Sequence, residues 1–390
     1  MKIKLRNYII KLCVGVPLLS ATIVGLVIGN RIFKQNEPTV VNFLCPPVSF
    51  VNEEESEAVK ESGIALAKQI VRESAVLVKN EGNVLPLNKS ISKVNVFGYG
   101  SVDWMVGGCG SGQIMDEQGV TTNKFLDCLE NYGIQYNKDL SNFYSNYSSP
   151  LGTVAILHVS SHSSPDFYKL CEPKMSEYSS SLLSNAKSYS NTAFVVLSRR
   201  AGESLDPPRT QYKIKGTTDT NRHYLEISTE EEELLTYVGA NFANVVVIIN
   251  STNAMELGFL DSISGLDACF VAGTSGNNGA TGLCELIWGD YSPSGHLADT
   301  YPYKFSSNIN YNHAGLENVN HYTNAGSLGL YPKGVKRNAG TIYTDNASYI
   351  DYTEGIYIGY KWYETADAVG YWDRAPYNGY ENVVQFPFGY

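Results

Sequence analysis

The run Val245-Val-Val-Ile-Ile249 decides the fold class, because five consecutive apolar residues are typical of a strand buried on both faces. Stretches with helical spacing separate this run from similar ones along the chain. Strands that alternate with helices predict a three-layer α/β sandwich with a mainly parallel sheet. The core strands are predicted at 94–97, 154–157, 193–197, 245–249 and 268–271.

The helices are predicted from apolar residues spaced three or four apart and from start signals. Residues Glu53 to Asn80 have this spacing. Ser228 followed by Glu231 is a capping box that opens a helix reaching about Phe242. Further helices are expected at 121–132, 177–189 and 280–288. The sandwich is therefore expected to occupy residues 53–305.

The carboxyl ends of the parallel strands are the place to look for chemistry, because ligands bind there in open α/β sheets. Gly98-Tyr-Gly100 and then Gly107-Gly-Cys-Gly-Ser-Gly112 follow the first core strand. Their spacing is not G-x-G-x-x-G and no helix follows directly, which favours a tight loop beside a polyol over a phosphate loop. The candidate substrate-binding residues are Gly107, Gly108, Gly110, Ser111 and Gly112.

The loop after the strand 193–197 carries a candidate acid/base. Glu203 lies in Ser198-Arg-Arg-Ala-Gly-Glu-Ser-Leu-Asp206. A carboxylate that follows a glycine at a strand's carboxyl end is well placed for proton transfer. A solvated loop glutamate is the alternative.

Composition excludes several classes of function. The formal net charge is -10 without a basic stripe, so nucleic acid is not an expected partner. The 7 cysteines form no CxxC pair and are expected to be buried free thiols. His158 and His162 are close in sequence but not on a helix, so no metal is expected. No other cofactor is expected either. The 28 Tyr suit either a sugar-stacking surface or ordinary packing.

The N-terminal sequence predicts a membrane anchor. Basic residues precede an uncharged run from Leu12 to Asn30, which is about long enough to cross a bilayer. More basic residues lie before the run than after it, which predicts a cytoplasmic N-terminus and a single-pass protein of the cell membrane with an extracellular bulk. A cleaved signal peptide is the alternative. We therefore expect a tail and anchor at 1–34 and a tether at 35–52.

Several stretches over about 55–390 occur in an order that is typical of one known family. They begin with a helix and strand, Glu73–Leu87, and with the glycine-rich loop Gly107–Gly112. The strand and loop Leu197–Glu203 follow, and the closing stretches are Trp288–Leu297 with Thr300–Pro302, Glu354–Tyr363 and Phe386–Tyr390. Together they resemble the C-terminal-type sandwich domain of family-3 glycoside hydrolases, the β-glucosidase and β-xylosidase family, in which the strand and loop at Leu197–Glu203 hold the acid/base.

The resemblance implies a retaining β-glycosidase mechanism, in which one carboxylate attacks the sugar and a second carboxylate acts as acid and then base. Glu203 matches the acid/base. The family's Gly-Glu-Gly-x-Asp-Arg pattern is altered here, with its arginine displaced to Arg209. The family's nucleophile is an aspartate on a TIM-like barrel, so Asp103 of Val-Asp-Trp104 is not assigned that role.

No barrel sequence is recognised in this chain, and a barrel is expected downstream or in trans. Residues 306–390, rich in Tyr, Asn and Gly, are expected to lead toward a fibronectin-like domain and that barrel. The expected function is the sandwich portion of an exo-acting β-glycosidase that hydrolyses O-glycosyl bonds in carbohydrate, with the chain alone inactive. The alternative is a non-catalytic, membrane-anchored carbohydrate-binding module.

Overall fold

A computed structural model describes residues 52–108, 114, 122–147, 168–202, 207–213, 218–311, 320–322, 347–349, 352 and 354–390. The chain divides into two compact units, Met1–Glu61 and Ser62–Tyr390, and the candidate site belongs to the second. The anchor segment 12–30, the predicted strand 154–157, the pair His158 and His162, and Glu203 lie outside the described residues.

The second unit is organised around a mixed sheet with the strand order β1-β8-β7-β5-β2-β3. The strands β2, β3, β5, β7 and β8 run parallel, and β1 pairs antiparallel with β8. Smaller two-stranded sheets join β4 to β6, β9 to β12 and β10 to β11. The bounds are β1 Val76–Asn80, β2 Lys93–Phe97, β3 Gln135–Tyr136, β4 Lys169–Leu170, β5 Thr192–Arg199, β6 Tyr212–Lys213, β7 Asn244–Ser251, β8 Ala268–Val271, β9 Tyr301–Pro302, β10 Asn320–Tyr322, β11 Ala347–Tyr349 and β12 Val384–Phe386.

Helices connect the strands. Ser228 caps the helix Thr229–Asn241, named α5, as predicted: its Oγ accepts a hydrogen bond from Glu231 N at 3.1 Å, and the Glu231 carboxylate accepts from Ser228 N at 2.7 Å. This capping box fixes the start of α5 near the end of β5. The helices are α1 Glu53–Ser74, α2 Phe125–Asn131, α3 Lys138–Asn146, α4 Ser180–Tyr189, α5 Thr229–Asn241, α6 Phe259–Ser262, α7 Ala280–Ile287 and α8 Tyr360–Ala368.

The core lies on both faces of the sheet, which confirms the predicted three-layer sandwich. Successive residues of β5 and β7 point to opposite faces, so Val195 and Val247 belong to one apolar cluster and Phe194 and Val246 to the other. Leu234 of α5 packs in the first cluster. Leu283 of α7 packs in the second. Strands without polar residues are therefore buried on both sides, as their sequence indicates.

One predicted helix is wrong at its C-terminal end. The helical spacing that starts at Glu53 stops at Ser74, and Val76–Asn80 forms the strand β1 instead. The backbone of β1 pairs with β8, in the register Val76↔Val271 to Asn80↔Ala268. Pairing with a strand nearly 200 residues away outweighs local helical spacing, because it buries Val76 and Val78.

Two further expectations concern membranes and thiols. Within the described ranges, no helix combines the length and the apolar character needed to cross a bilayer. The anchor at 12–30 stays a prediction, since it lies outside those ranges. Cys128, Cys171, Cys269 and Cys284 are buried free thiols, as expected.

Candidate active site

The loop after β2 is seated directly against β5. Gly98 has a φ of +88°, and a Cβ there would lie 2.4 Å from the Val196 carbonyl oxygen. A Cβ at Gly100 would lie 2.5 Å from Ser198 Oγ. The two glycines are therefore needed for close approach between neighbouring segments. This explains the Gly-x-Gly pattern without a phosphate.

The end of β5 is fixed by a buried arginine. Arg199 donates from Nη1 and Nη2 to the two carboxylate oxygens of Glu231, at 2.8 and 2.6 Å. Its Nε donates to the Tyr224 carbonyl at 2.7 Å, and Nη2 also donates to the Glu226 carbonyl at 2.7 Å. A buried guanidinium with both a carboxylate and carbonyl acceptors is electrostatically satisfied. Arg199 therefore ties the end of β5 to the start of α5.

The next residue, Arg200, faces outward. One guanidinium nitrogen, Nη2, lies 2.7 and 2.6 Å from the two oxygens of Asp103. The side chains of Arg200 and Asp103 are 29% and 38% exposed. The Arg200 backbone N–H donates to Tyr224 Oη at 2.6 Å. The loops after β2 and β5 are thus joined by an ion pair at the rim of the sheet.

Asn250, at the end of β7, links three strand ends from the inside. Its Oδ1 accepts from Met105 N at 2.6 Å and from Ser198 Oγ at 3.0 Å. Its Nδ2 donates to the Met105 and Gly273 carbonyls at 3.0 and 2.7 Å. The sequence analysis missed this residue. A polar asparagine directly after the apolar run 245–249 was a signal that could have identified it.

Glu172 forms a buried network below the first loop. Its Oε2 accepts from Tyr99 N at 2.7 Å, and its Oε1 accepts from Tyr178 Oη at 2.6 Å. Burial raises the pKa of this carboxyl to about 8, against the opposing effect of these hydrogen bonds. Tyr144 joins the network through its Oη, which lies 2.6 Å from Tyr178 Oη and accepts from Gly98 N at 2.8 Å. The network positions the loop after β2.

A small cavity lies between these groups, lined by Tyr99, Asp103, Cys171, Glu172, Arg200 and Tyr224 among others. Its volume is about 40 Å³. That is enough for water and too small for a sugar ring.

The predicted site residues are only partly described. Gly107 and Gly108 lie at the rim, and a Cβ on Gly108 would be 3.7 Å from the Ala201 carbonyl oxygen. The glycine-rich loop and the loop that leads to Glu203 therefore meet, as the strand order requires. Gly110, Ser111, Gly112 and Glu203 lie outside the described residues, so their side chains are not placed. Arg209 stacks on the Tyr311 ring, 3.5 Å from its centroid.

A second polar pocket lies beside Arg209 and Tyr311, with a volume of about 730 Å³. His223 Nε2 lies 3.0 Å from Glu256 Oε1, and Glu226 completes a group with metal-ligand spacing. His223 Nδ1 accepts from Leu225 N at 3.2 Å, which assigns the neutral ring proton to Nε2.

This group does not suit a metal ion. A metal-binding imidazole needs a bare nitrogen facing the metal and usually donates from the other nitrogen. Here the nitrogen that faces the carboxylates carries the proton. Lys304 Nζ also lies 2.7 Å from both Glu226 Oε1 and Glu256 Oε2, and so supplies the cation. The group is therefore best described as an ion-paired hydrogen-bond cluster.

The mainly parallel sheet with apolar clusters on both faces defines an α/β sandwich domain, and a family model identifies its family. The model for the glycosyl hydrolase family 3 C-terminal domain matches residues 75–360. The chain belongs to this family. The recognised resemblance is thereby confirmed over most of the chain.

The curated relatives include β-glucosidases. Beta-glucosidase A of Butyrivibrio fibrisolvens is 25% identical over 84% of this chain and 34% of its own length. The beta-glucosidase of Ruminococcus albus is 28% identical over 83% of this chain and 27% of its own length. The chain thus spans about a third of the length of these relatives.

Solved structures share the fold. A beta-glucosidase from Paenibacillus barengoltzii has a TM-score of 0.57 at 24% identity, over 84% of this chain and 29% of that one. Beta-glucosidase 3B from Thermotoga neapolitana, solved with alpha-D-glucose, has a TM-score of 0.55 at 21% identity, over 80% and 36%. At these identities the likeness concerns the fold alone.

Proposed function

We propose that this chain supplies the acid/base side of the active site of a retaining, exo-acting β-glycosidase, with Glu203 as the acid/base. The observation that carries the proposal is the position of Ala201, at the carboxyl end of β5 and beside Gly108. Glu203 follows two residues later in a Gly-Glu sequence that matches the family pattern. Family membership supports a carbohydrate substrate.

The reaction needs two carboxyl groups about 5–5.5 Å apart across one sugar. Glu203, when protonated, donates its proton to the glycosidic oxygen as the leaving group departs. The resulting carboxylate then removes a proton from the water that releases the sugar. The nucleophile comes from a TIM-like barrel on another part of the protein or on another chain.

Asp103 is not suited to replace that nucleophile. Both of its carboxylate oxygens already lie within hydrogen-bond distance of Arg200 Nη2. An attack by Asp103 on a sugar carbon would first have to break this ion pair with Arg200. The chain alone is therefore expected to bind half of a substrate site and to turn nothing over.

The test combines the purified chain with a separately expressed family-3 barrel domain and an aryl β-glucoside. Glu203→Ala should slow substrates with poor leaving groups by about 10²- to 10⁴-fold, because they need protonation, and affect good leaving groups less. Azide should restore turnover of good leaving groups in this variant, because azide attacks the glycosyl-enzyme without a base.

Glu130→Gln, an exposed glutamate of α2, is the matched control and should behave as the parent. Parent-like hydrolysis of a disaccharide by Glu203→Ala would remove Glu203 from the mechanism. Sugar binding without turnover, even in the presence of the barrel, would favour the carbohydrate-binding module.

Attachment to the cell membrane is a separate part of the proposal, and the sequence 12–30 between basic flanks supports it. Alkaline carbonate removes peripheral proteins from membranes and leaves spanning helices in place. The full chain should therefore stay in the membrane pellet. Release of the uncleaved chain would exclude the anchor.

A further inference from the structure

The Arg200–Asp103 ion pair lies between the two loops that the proposed function brings together. Asp103 is four residues before Gly107, and Arg200 is three residues before Glu203. Three residues span at most about 10 Å between Cα atoms. The pair therefore ties the glycine-rich loop to the base of the loop that carries Glu203.

We propose that Asp103 is a positioning residue for Glu203 and acts through Arg200; this inference rests on the proposed role of Glu203. The inner side of the same loop is already held by other contacts. Tyr224 receives hydrogen bonds from Arg199 Nε and from Arg200 N, and Glu231 holds Arg199. The Asp103 contact adds a connection on the outer side, toward the rim.

The segment that carries Asp103 is itself rigidly seated. Met105 is hydrogen-bonded on both sides by the Asn250 amide, at 2.6 and 3.0 Å. Trp104 is buried and donates from Nε1 to Ser275 Oγ at 2.9 Å. Asp103 therefore presents its carboxylate from a fixed backbone, which is what a positioning contact requires.

The exposure of the pair separates a positioning role from a stabilising one. Its side chains are 29% and 38% exposed, and ion pairs with this access to water contribute little to stability. Misplacing an acid by about 1 Å can slow a reaction by about 100-fold. Removing the pair should therefore affect the reaction more than it affects folding.

The kinetic test uses the chain together with the family-3 barrel and a series of aryl β-glucosides whose leaving groups differ in pKa. Asp103→Asn keeps the side-chain shape but weakens the link to Arg200. We expect a loss of about 10- to 100-fold for the poorest leaving groups and little loss for the best. If Asp103 were instead the nucleophile, Asp103→Asn would slow the hydrolysis of every substrate in the series.

A double-mutant cycle checks the route through Arg200. Arg200→Gln should give the same leaving-group dependence, and the double variant should lose no more than either single variant. Lys138→Ala removes an exposed ion pair of similar kind, with Glu130, away from the rim and serves as the control. Additive losses would overturn the proposed route.

Amide hydrogen exchange on the chain alone provides a test that needs no turnover. Asp103→Asn should accelerate exchange several-fold in peptides covering residues 200–206, while Lys138→Ala leaves them unchanged. Unchanged exchange there would overturn the inference.

Kinetic results also separate the two proposals. If Glu203→Ala shows leaving-group dependence and Asp103→Asn does not, the positioning role fails and the proposed function stands. If Glu203→Ala shows none, the proposed function fails, and with it the role assigned to Asp103.

Discussion

Arg199 and Arg200 are neighbours in sequence at the end of β5, yet they occupy opposite environments. The Arg199 side chain is 0% exposed and its partner Glu231 is 7% exposed, whereas Arg200 and Asp103 are 29% and 38% exposed. The first pair holds a strand to a helix inside the protein. The second pair joins the loops after β2 and β5 at the rim of the sheet.

The difference shows how burial changes what the same kind of ion pair contributes to stability. A buried arginine without its carboxylate would leave an uncompensated charge in the interior. A half-exposed arginine without its carboxylate is solvated by water at little cost. Residue type alone does not distinguish these cases, because both are Arg–carboxylate pairs with contacts near 2.6 Å.

The largest expected effect comes from breaking the inner pair. Arg199→Ala should lower the free energy of unfolding by about 3–5 kcal/mol, because Glu231 would remain buried without its cation. Urea denaturation of the full chain measures this loss. Arg199→Met combined with Glu231→Leu, which removes both charges, should cost less than Arg199→Ala. If the double variant lost as much stability as Arg199→Ala or more, the charge left on Glu231 would not be the cause of the loss.

Glu172 sharpens the comparison, because it is buried like Glu231 but receives hydrogen bonds from the neutral groups Tyr99 N and Tyr178 Oη. Burial raises its pKa from 4.5 to about 8. Between these values the folded chain holds a proton that the unfolded chain has released, so stability falls as pH rises through this window.

Glu172→Gln cannot ionise and should lack this pH dependence. Between pH 5 and pH 8 the variant should gain about 2–4 kcal/mol relative to the parent, since one pKa unit corresponds to about 1.4 kcal/mol. Urea denaturation at both pH values gives the difference, in which the other titrating groups cancel. If the difference in stability between variant and parent is the same at pH 5 and pH 8, Glu172 is ionised in the folded chain at both pH values.

A smaller effect is expected at the contact that seats the first loop against β5. Gly100→Ala places a Cβ 2.5 Å from Ser198 Oγ and 2.8 Å from the Val196 carbonyl oxygen. The resulting shift should cost about 1–3 kcal/mol in thermal or urea unfolding. Gly63→Ala, in α1 with no atom within 4 Å of its new Cβ, is the control and should be neutral or stabilising.

The smallest expected effect on stability is at the outer pair. Asp103→Ala should change the free energy of unfolding by about 0–1 kcal/mol, because water replaces the carboxylate around Arg200. The same urea denaturation used for Arg199→Ala measures it. A loss as large as that of Arg199→Ala would show that the outer pair is structural, and the comparison between the two arginines would no longer hold.

The strands of the sheet could be predicted well, because a strand buried on both faces leaves a continuous apolar run. The run 245–249 corresponds to Asn244–Ser251 in the structure, and 268–271 to Ala268–Val271. The extra residues at the strand ends are polar, so apolar patterning did not include them. β1 was assigned to a helix because its five residues follow a helix without a break in apolar spacing.

The candidate site could be located but not assembled from the sequence. The strand-end rule pointed to the loops after Phe97 and Leu197, and these two loops meet at Gly108 and Ala201. The roles of Glu172 and Tyr224 were not foreseen. Neither lies directly after a core strand, and their contacts reach back to strand ends 73 and 25 residues away.

The sequence by itself determined the class of fold, because this follows from local apolar patterning, and it predicted the edge of the sheet where chemistry is expected. Only the tertiary structure decided which partner each arginine takes. Arg199 pairs with Glu231, which is 32 residues away in the sequence, and Arg200 pairs with Asp103, which is 97 residues away. Adjacent arginines look alike in a sequence, and their roles diverge because one points under α5, out of reach of water, and the other points across the rim into solvent.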